Sequence, residues 1–193
     1  MTTNTYTLAA SADDALEASG TLTTNGATIL VSAGTRYAGF SFPTAAAPIA
    51  ASAPIVSATL GYSMVSGHTS PAVDWKGHKV VNSAQFSGAN DLSNRWSGAP
   101  TTASVADNAT AYGTGRRTID VTTIVQELVN QAGWTSSSRL TLIAKGQSSS
   151  SDVAFKAWDG GADAATLEIV TSSGAVKLTA GVRLSTRVGG LLL

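Results

Sequence analysis

The chain has 193 residues, 43% of them hydrophobic, with 12 basic and 12 acidic residues that give a formal net charge of +0, and it has no cysteine. That length suits one large domain with a full core, and no apolar run reaches the roughly 18 residues that would read as a membrane-crossing helix. The charge balance argues against a nucleic-acid or membrane partner, and the lack of cysteine excludes a disulfide framework and a zinc–thiolate site.

The opening segment MTTNTYTLAASADDALE carries neither the basic nor the apolar stretch of a secretory signal, so synthesis and assembly in the cytoplasm are expected. Alternation of β-branched and aromatic residues predicts strands over residues 6–8, 27–32, 37–42, 55–65, 80–83, 118–121, 139–144, 154–158 and 165–170. PTAAAPIAASAP (residues 43–54) holds three prolines and reads as an extended edge or loop, because proline removes a helix hydrogen bond and clashes with the preceding turn. Residues 67–115 read as a long, turn-rich loop that carries both histidines, Trp75 and Trp96, and GQSSSS (residues 146–151) as a hairpin tip. Many short strands without an internal repeat make an all-β sandwich the expected architecture.

Helical periodicity marks one segment, IDVTTIVQELVNQAGW. Val121, Ile124, Val125, Leu128 and Val129 fall on one stripe, while Gln126, Glu127 and Asn130 face away from it. Asp120 stands where an N-cap belongs and Gly133 where a left-handed C-terminal residue is needed, so a short amphipathic helix is predicted over about residues 121–131. Trp134 then closes over its end, and Trp134 and Trp158 are both expected in or near the core.

This helix, the strand-like GTRYAGFSFP with Arg36, Phe40 and Phe42, the strand PIVSATLGYSMV and the closing VAFKAWDGGADAATLEIVTSS follow one another in an order that resembles the DNRLRE-type modules, a jelly-roll family of bacterial surface proteins and tailed-phage structural proteins. The resemblance spans roughly residues 10–173 and implies a jelly-roll β-sandwich domain over residues 1–173; residues 174–193 depart from it by running past the family's usual last strand and read as an added arm or strand pair. Without an export signal, it favours the phage branch.

Catalytic signatures are absent. No Gly-x-Ser-x-Gly elbow occurs, and YGTGRR supplies two of the three glycines of a dinucleotide loop without a βαβ pattern around it. His68 and His78 with Asp74 between them lack a third ligand at a fixed spacing, so two solvated loop histidines is the plainer reading. Asp159-Gly-Gly-Ala-Asp163 lacks the alternating oxygen ligands of a calcium loop and reads as a hairpin turn. No metal, cofactor or catalytic residue is assigned.

Two surfaces are candidates for partner binding. Trp75, Trp96 and Tyr112 would form a platform for sugar rings, with Asn94 and Arg95 bonding the hydroxyls, or would seal the loops against the core or a neighbouring subunit. The tail AVKLTAGVRLSTRVGGLLL alternates apolar and basic residues and holds Lys177, Arg183 and Arg187 with no acid, whereas residues 1–170 hold nine bases against twelve acids. A β-arm that inserts Val182, Arg183, Leu184, Arg187, Val188, Leu191, Leu192 and Leu193 into a partner is expected, the alternative being a strand packed on its own domain.

The resulting expectation is a non-enzymatic virion structural protein: a capsid decoration or cement protein, or a head fibre. It would bind the major capsid protein or other virion subunits and form a homo-oligomer such as a trimer. The alternative is a carbohydrate-binding module or tail adhesin that recognises host polysaccharide.

Overall fold

The computed structural model describes residues 1–31, 35–65, 68–69, 73–107, 111–147 and 153–172. In chain order the elements are β1 (Thr2–Thr7), β2 (Asp14–Ala18), β3 (Thr21–Thr23), β4 (Thr28–Val31), β5 (Arg36–Phe42), β6 (Ile55–Met64), β7 (His68–Thr69), β8 (Val73–His78), α1 (Asp91–Gly98), β9 (Pro100–Asp107), β10 (Ala111–Tyr112), β11 (Gly115–Asp120), α2 (Thr122–Val129), β12 (Leu140–Gly146), β13 (Val153–Lys156) and β14 (Thr166–Thr171).

Two antiparallel sheets form an all-β sandwich. One runs β1-β14-β6-β13-β4, with β11 on the far side of β6, and the other runs β3-β2-β5-β12-β8-β9. The chain passes repeatedly from one sheet to the other, as in a jelly roll, so most neighbours within a sheet are distant in sequence. β13 and β14 lie along the same side of β6, with Phe155 opposite Met64 and Thr166 opposite Gly61, so they act as one strand interrupted by residues 157–165. β1 and β4 flank the two halves of that interrupted strand.

The core holds Phe40, Tyr62, Trp75 and Phe155, whose ring centroids lie 5.0–6.1 Å apart. The Tyr62 hydroxyl donates to Asp107 Oδ2 at 2.5 Å, which satisfies a polar group that the core would otherwise strand. All five stripe residues of α2 are buried as the periodicity predicts. The helix seats closely because β8 has a glycine beneath it: a Cβ on Gly77 would lie 2.9 Å from Ile124 and Leu128. Asp120 Oδ1 accepts the N–H of Thr122 at 2.8 Å, one position earlier than the N-cap assignment, since Val121 occupies the cap. Gly133 adopts φ +85°, and the Trp134 indole donates to the Ile49 carbonyl at 3.0 Å.

Gln126 and Glu127 do not simply face solvent. Gln126 accepts from the Ile55 N–H at 2.8 Å and donates to the Ala53 carbonyl at 3.1 Å, and Glu127 takes the N–H groups of Thr102 and Ala103 at 2.9 and 2.8 Å. The polar side of the helix thus ties down the start of β6 and the edge of β9.

The expected loop over residues 67–115 instead contributes β8, α1 and β9. β9 was not legible as a strand because PTTASVAD has few large apolar residues, and tertiary pairing with β8 overrides its weak propensity. The strand expected over residues 80–83 is a bend and turn, with Asn82 at φ +53°. A second helix, α1, lies on the outer face of the β5-containing sheet over a small separate cluster of Ala15, Phe86, Leu92 and Ile143. Gly39 makes this approach feasible, since a Cβ there would sit 2.6 Å from both Leu92 Cδ2 and Phe86 Cζ.

Candidate interaction surfaces

The three sequence-selected aromatics do not form one platform. Trp75 alternates with Asp74 and Lys76 along β8 and therefore points into the sandwich, where it has no exposed surface. Trp96 lies on α1, outside the sheet and half-buried. Tyr112 belongs to β10, whose backbone pairs with His68, and its side chain lies outside the described residues.

Arg95 is not free to serve a ligand beside Trp96. Its guanidinium binds Asp91 through Nε (2.7 Å) and Nη2 (2.9 Å), Ser83 Oγ and the Ala84 carbonyl through Nη1 (2.7 and 2.8 Å), and the Gln85 carbonyl through Nη2 (3.1 Å). It fastens the segment before α1 to the helix. The carboxylate of Glu17, buried in β2, accepts the N–H groups of Leu92 and Ser93 at 2.7 and 3.2 Å and so holds the start of the same helix. His78 joins this cluster through Nδ1, 2.7 Å from Ser83 Oγ. Burial, reinforced by the Arg95 charge, pulls its pKa down to about 4.

What Trp96 does join is a cation–aromatic patch. Strand register sets Tyr37, Lys145 and Asp74 side by side across β5, β12 and β8. The Tyr37 and Trp96 rings meet at 6.1 Å, the Lys76 ammonium lies 5.0 Å from the Trp96 ring centre, and the Lys145 ammonium lies 5.6 Å from that of Tyr37. A shallow pocket of about 520 Å³ opens there, lined by Asp74, Trp96, Lys145, Gly146 and Gln147. An ammonium group thus lies over a face of each of the two rings.

Neither plainer reading holds as made: His78 is a half-buried residue at the end of β8 and not a solvated loop histidine, and residues 159–163 join two strands that lie along one side of β6 and do not form a hairpin. Among the described residues no group of three His, Cys, Asp or Glu side chains converges as a metal site. Asp159 accepts the Ser11 hydroxyl at 2.9 Å, whereas Asp163 faces Lys156 at 3.5 Å. Trp158, expected in the core, is 39% exposed at the start of a short 3₁₀ turn. The arm residues Val182, Arg183, Leu184, Arg187, Val188, Leu191, Leu192 and Leu193 lie outside the described residues.

The sheet edges differ in how they are protected. β3 and β4 are short, β11 carries Arg116, Arg117 and Asp120, and β9 has its N–H groups at Thr102 and Ala103 occupied by Glu127, which Lys79 pairs at 2.8 Å. β1, TTNTYT, is six residues long, holds no charge and pairs only with β14 among the described residues. Its Tyr6 is buried, and Thr3, Thr5 and Thr7 face solvent.

No protein-family model matches this chain, and no curated protein matches its sequence.

Proposed function

We propose that this protein is a bacteriophage virion structural protein, a capsid decoration or cement protein or a head fibre, that attaches to shell subunits or to copies of itself by strand pairing. The observation that carries this reading is the uncharged edge of β1, which pairs only with β14 among the described residues. Soluble sandwiches commonly defend such edges with charge, proline, bulges or short strands, and the other edges of this molecule follow that practice. An edge that meets no second strand among the described residues over six positions offers a partner strand a row of backbone N–H and C=O groups, the arrangement used in β-augmentation. The low charge of the chain supports the same reading, because close packing of a neutral surface costs little ion desolvation. So does the order of segments that resembles the DNRLRE-type modules.

In this reading the partner is the major capsid protein, another virion subunit or a second copy, with a trimer as one closed arrangement. The basic, apolar sequence over residues 174–193 is, in the same proposal, a second attachment segment. The test is particle incorporation. The full chain should co-purify with mature particles at a fixed ratio to the major shell protein, and a chain ending at Ser173 should fold but fail to incorporate. Incorporation of the truncated chain at full occupancy would remove the arm from the attachment, and absence of the full chain from particles would overturn the proposal.

A further inference from the structure

We propose a second binding site, for a short neutral saccharide, in the cleft beside Trp158. The site goes beyond the assembly role and is independent of it.

The cleft lies where β13 and β14 part, and its volume is about 840 Å³, within the ~300–1,000 Å³ common for small-ligand sites. Leu8, Ala164 and Ala165 give it apolar walls, Trp158 contributes its indole, and Arg116, Asp159 and Asp163 stand around it. Apolar walls with a few fixed polar groups are the usual composition of such a site.

Trp158 is the most exposed aromatic side chain among the described residues, and its exposure is built in. The turn that carries it is fastened at almost every residue. Ala157 N–H donates to the Ala27 carbonyl at 3.1 Å and Trp158 N–H to Asp14 Oδ2 at 2.5 Å, while Gly160 and Gly161 bond back to Ala157 and Trp158 at 3.0 and 3.1 Å. Gly160 presses against the Ala27 carbonyl, where a Cβ would come within 2.6 Å, and Gly161 adopts φ +84°. A buried carboxylate is a costly anchor. Here it holds in place a turn whose largest apolar side chain faces water, an arrangement that favours ligand binding more than it favours stability.

Arg116 is equally fixed. It reaches from β11 across Gly61 of β6, where a Cβ would lie 2.4 Å from its Nη2, and donates to the Ala164 carbonyl at 3.0 Å and to Thr166 Oγ1. Two of its five N–H groups are thereby engaged, and the remainder are available to hydroxyl oxygens. Asp159 and Asp163 supply acceptors. The positive charges of Arg116 and Lys156 offset the carboxylates of Asp159 and Asp163, so these four side chains carry no net charge, which suits a polyhydroxy ligand without ionic groups. A flat indole face for the C–H side of a pyranose, with donors and acceptors around it, completes the match.

The experiment is a glycan array followed by titration calorimetry on the full chain, using neutral mono- and disaccharides of glucose, galactose, mannose and N-acetylglucosamine, with sialylated and uronate sugars as the acidic arm. Saturable binding to a neutral sugar is expected. Trp158→Ala and Arg116→Ala should each weaken it at least tenfold, Trp158→Phe should retain most of it, and unchanged thermal melts should show the variants folded. Absence of saturable binding to any neutral sugar, binding restricted to the acidic arm, or affinity undiminished by Trp158→Ala would each overturn the proposal. Particle incorporation of Trp158→Ala should match the parent, which keeps a failure here distinct from a failure of the assembly reading.

Discussion

The Asp14 carboxylate, 1% exposed at the start of β2, accepts the backbone N–H of Trp158 at 2.5 Å across 144 positions of sequence. Burial pushes its pKa up to about 7, the Trp158 N–H opposes the rise, and the like charges of Asp159 and Asp13 add to it. The folded protein therefore keeps a proton that the unfolded chain releases above pH 4. Stability should fall as pH rises from about 4 to about 7 and level off above that. Asp14→Asn retains an acceptor for Trp158 and removes the titration. It should be more stable than the parent at pH 8, by about 2–4 kcal/mol, and nearly equal to it at pH 4. Urea denaturation at the two pH values checks this.

His78 acts with the opposite sign. Its folded pKa is lowered from 6.5 to about 4 by burial and by Arg95, so the unfolded chain binds a proton that the folded protein refuses, and stability is lost as pH falls through that window. Between about pH 4.5 and 6.5 the His78 and Asp14 contributions oppose each other. Thermal melts across this range should show a flatter profile for the parent than for either variant: His78→Gln should lose stability with rising pH, and Asp14→Asn should gain it.

The seat of α1 depends on the absence of a side chain at Gly39. Gly39→Ala forces a methyl group to within 2.6 Å of Leu92 and Phe86, and should cost about 1–3 kcal/mol in chemical denaturation as the helix is lifted. Leu92→Ala should cost about 2–5 kcal/mol through the cavity left in the same small cluster. Both should alter Trp96 fluorescence, because α1 carries that indole. Unchanged stability in both would mean that the outer-face cluster contributes nothing to the fold.

Leu128→Asp tests the docking of α2. Leu128 is 1% exposed, and a carboxylate there has no partner, so several kcal/mol of destabilisation and insoluble expression are expected. Recovery of soluble protein with the parent's melting temperature would contradict the packing described.

The edge of β1 gives the most direct test of assembly. Thr3→Lys and Thr5→Lys together place charge on the solvent side of the strand without touching Tyr6, so the melting temperature should stay within a few degrees of the parent's. Incorporation into particles, or the oligomer seen by light scattering, should be lost. Retention of both would move attachment to another surface.

The sequence by itself determined what depends on neighbours within a few residues. The stripe from Val121 to Val129, its start near Asp120 and its stop at Gly133 are set by the helical repeat and by local backbone chemistry, so α2 was legible, and the β-branched alternation of β5, β6, β12 and β14 was legible for the same reason. Only the tertiary structure decided which aromatic is core and which is surface. Trp158, expected in or near the core, is exposed, and Trp75, expected on a long loop, is buried within β8, because inside and outside are fixed by strand register and by a turn anchored to Asp14, contacts that join residues far apart in the chain. The same reason hid α1, whose polar segment becomes a helix with a buried side only where Gly39 leaves space and Glu17 supplies a cap. An edge strand likewise exists only once every other strand has found its partner.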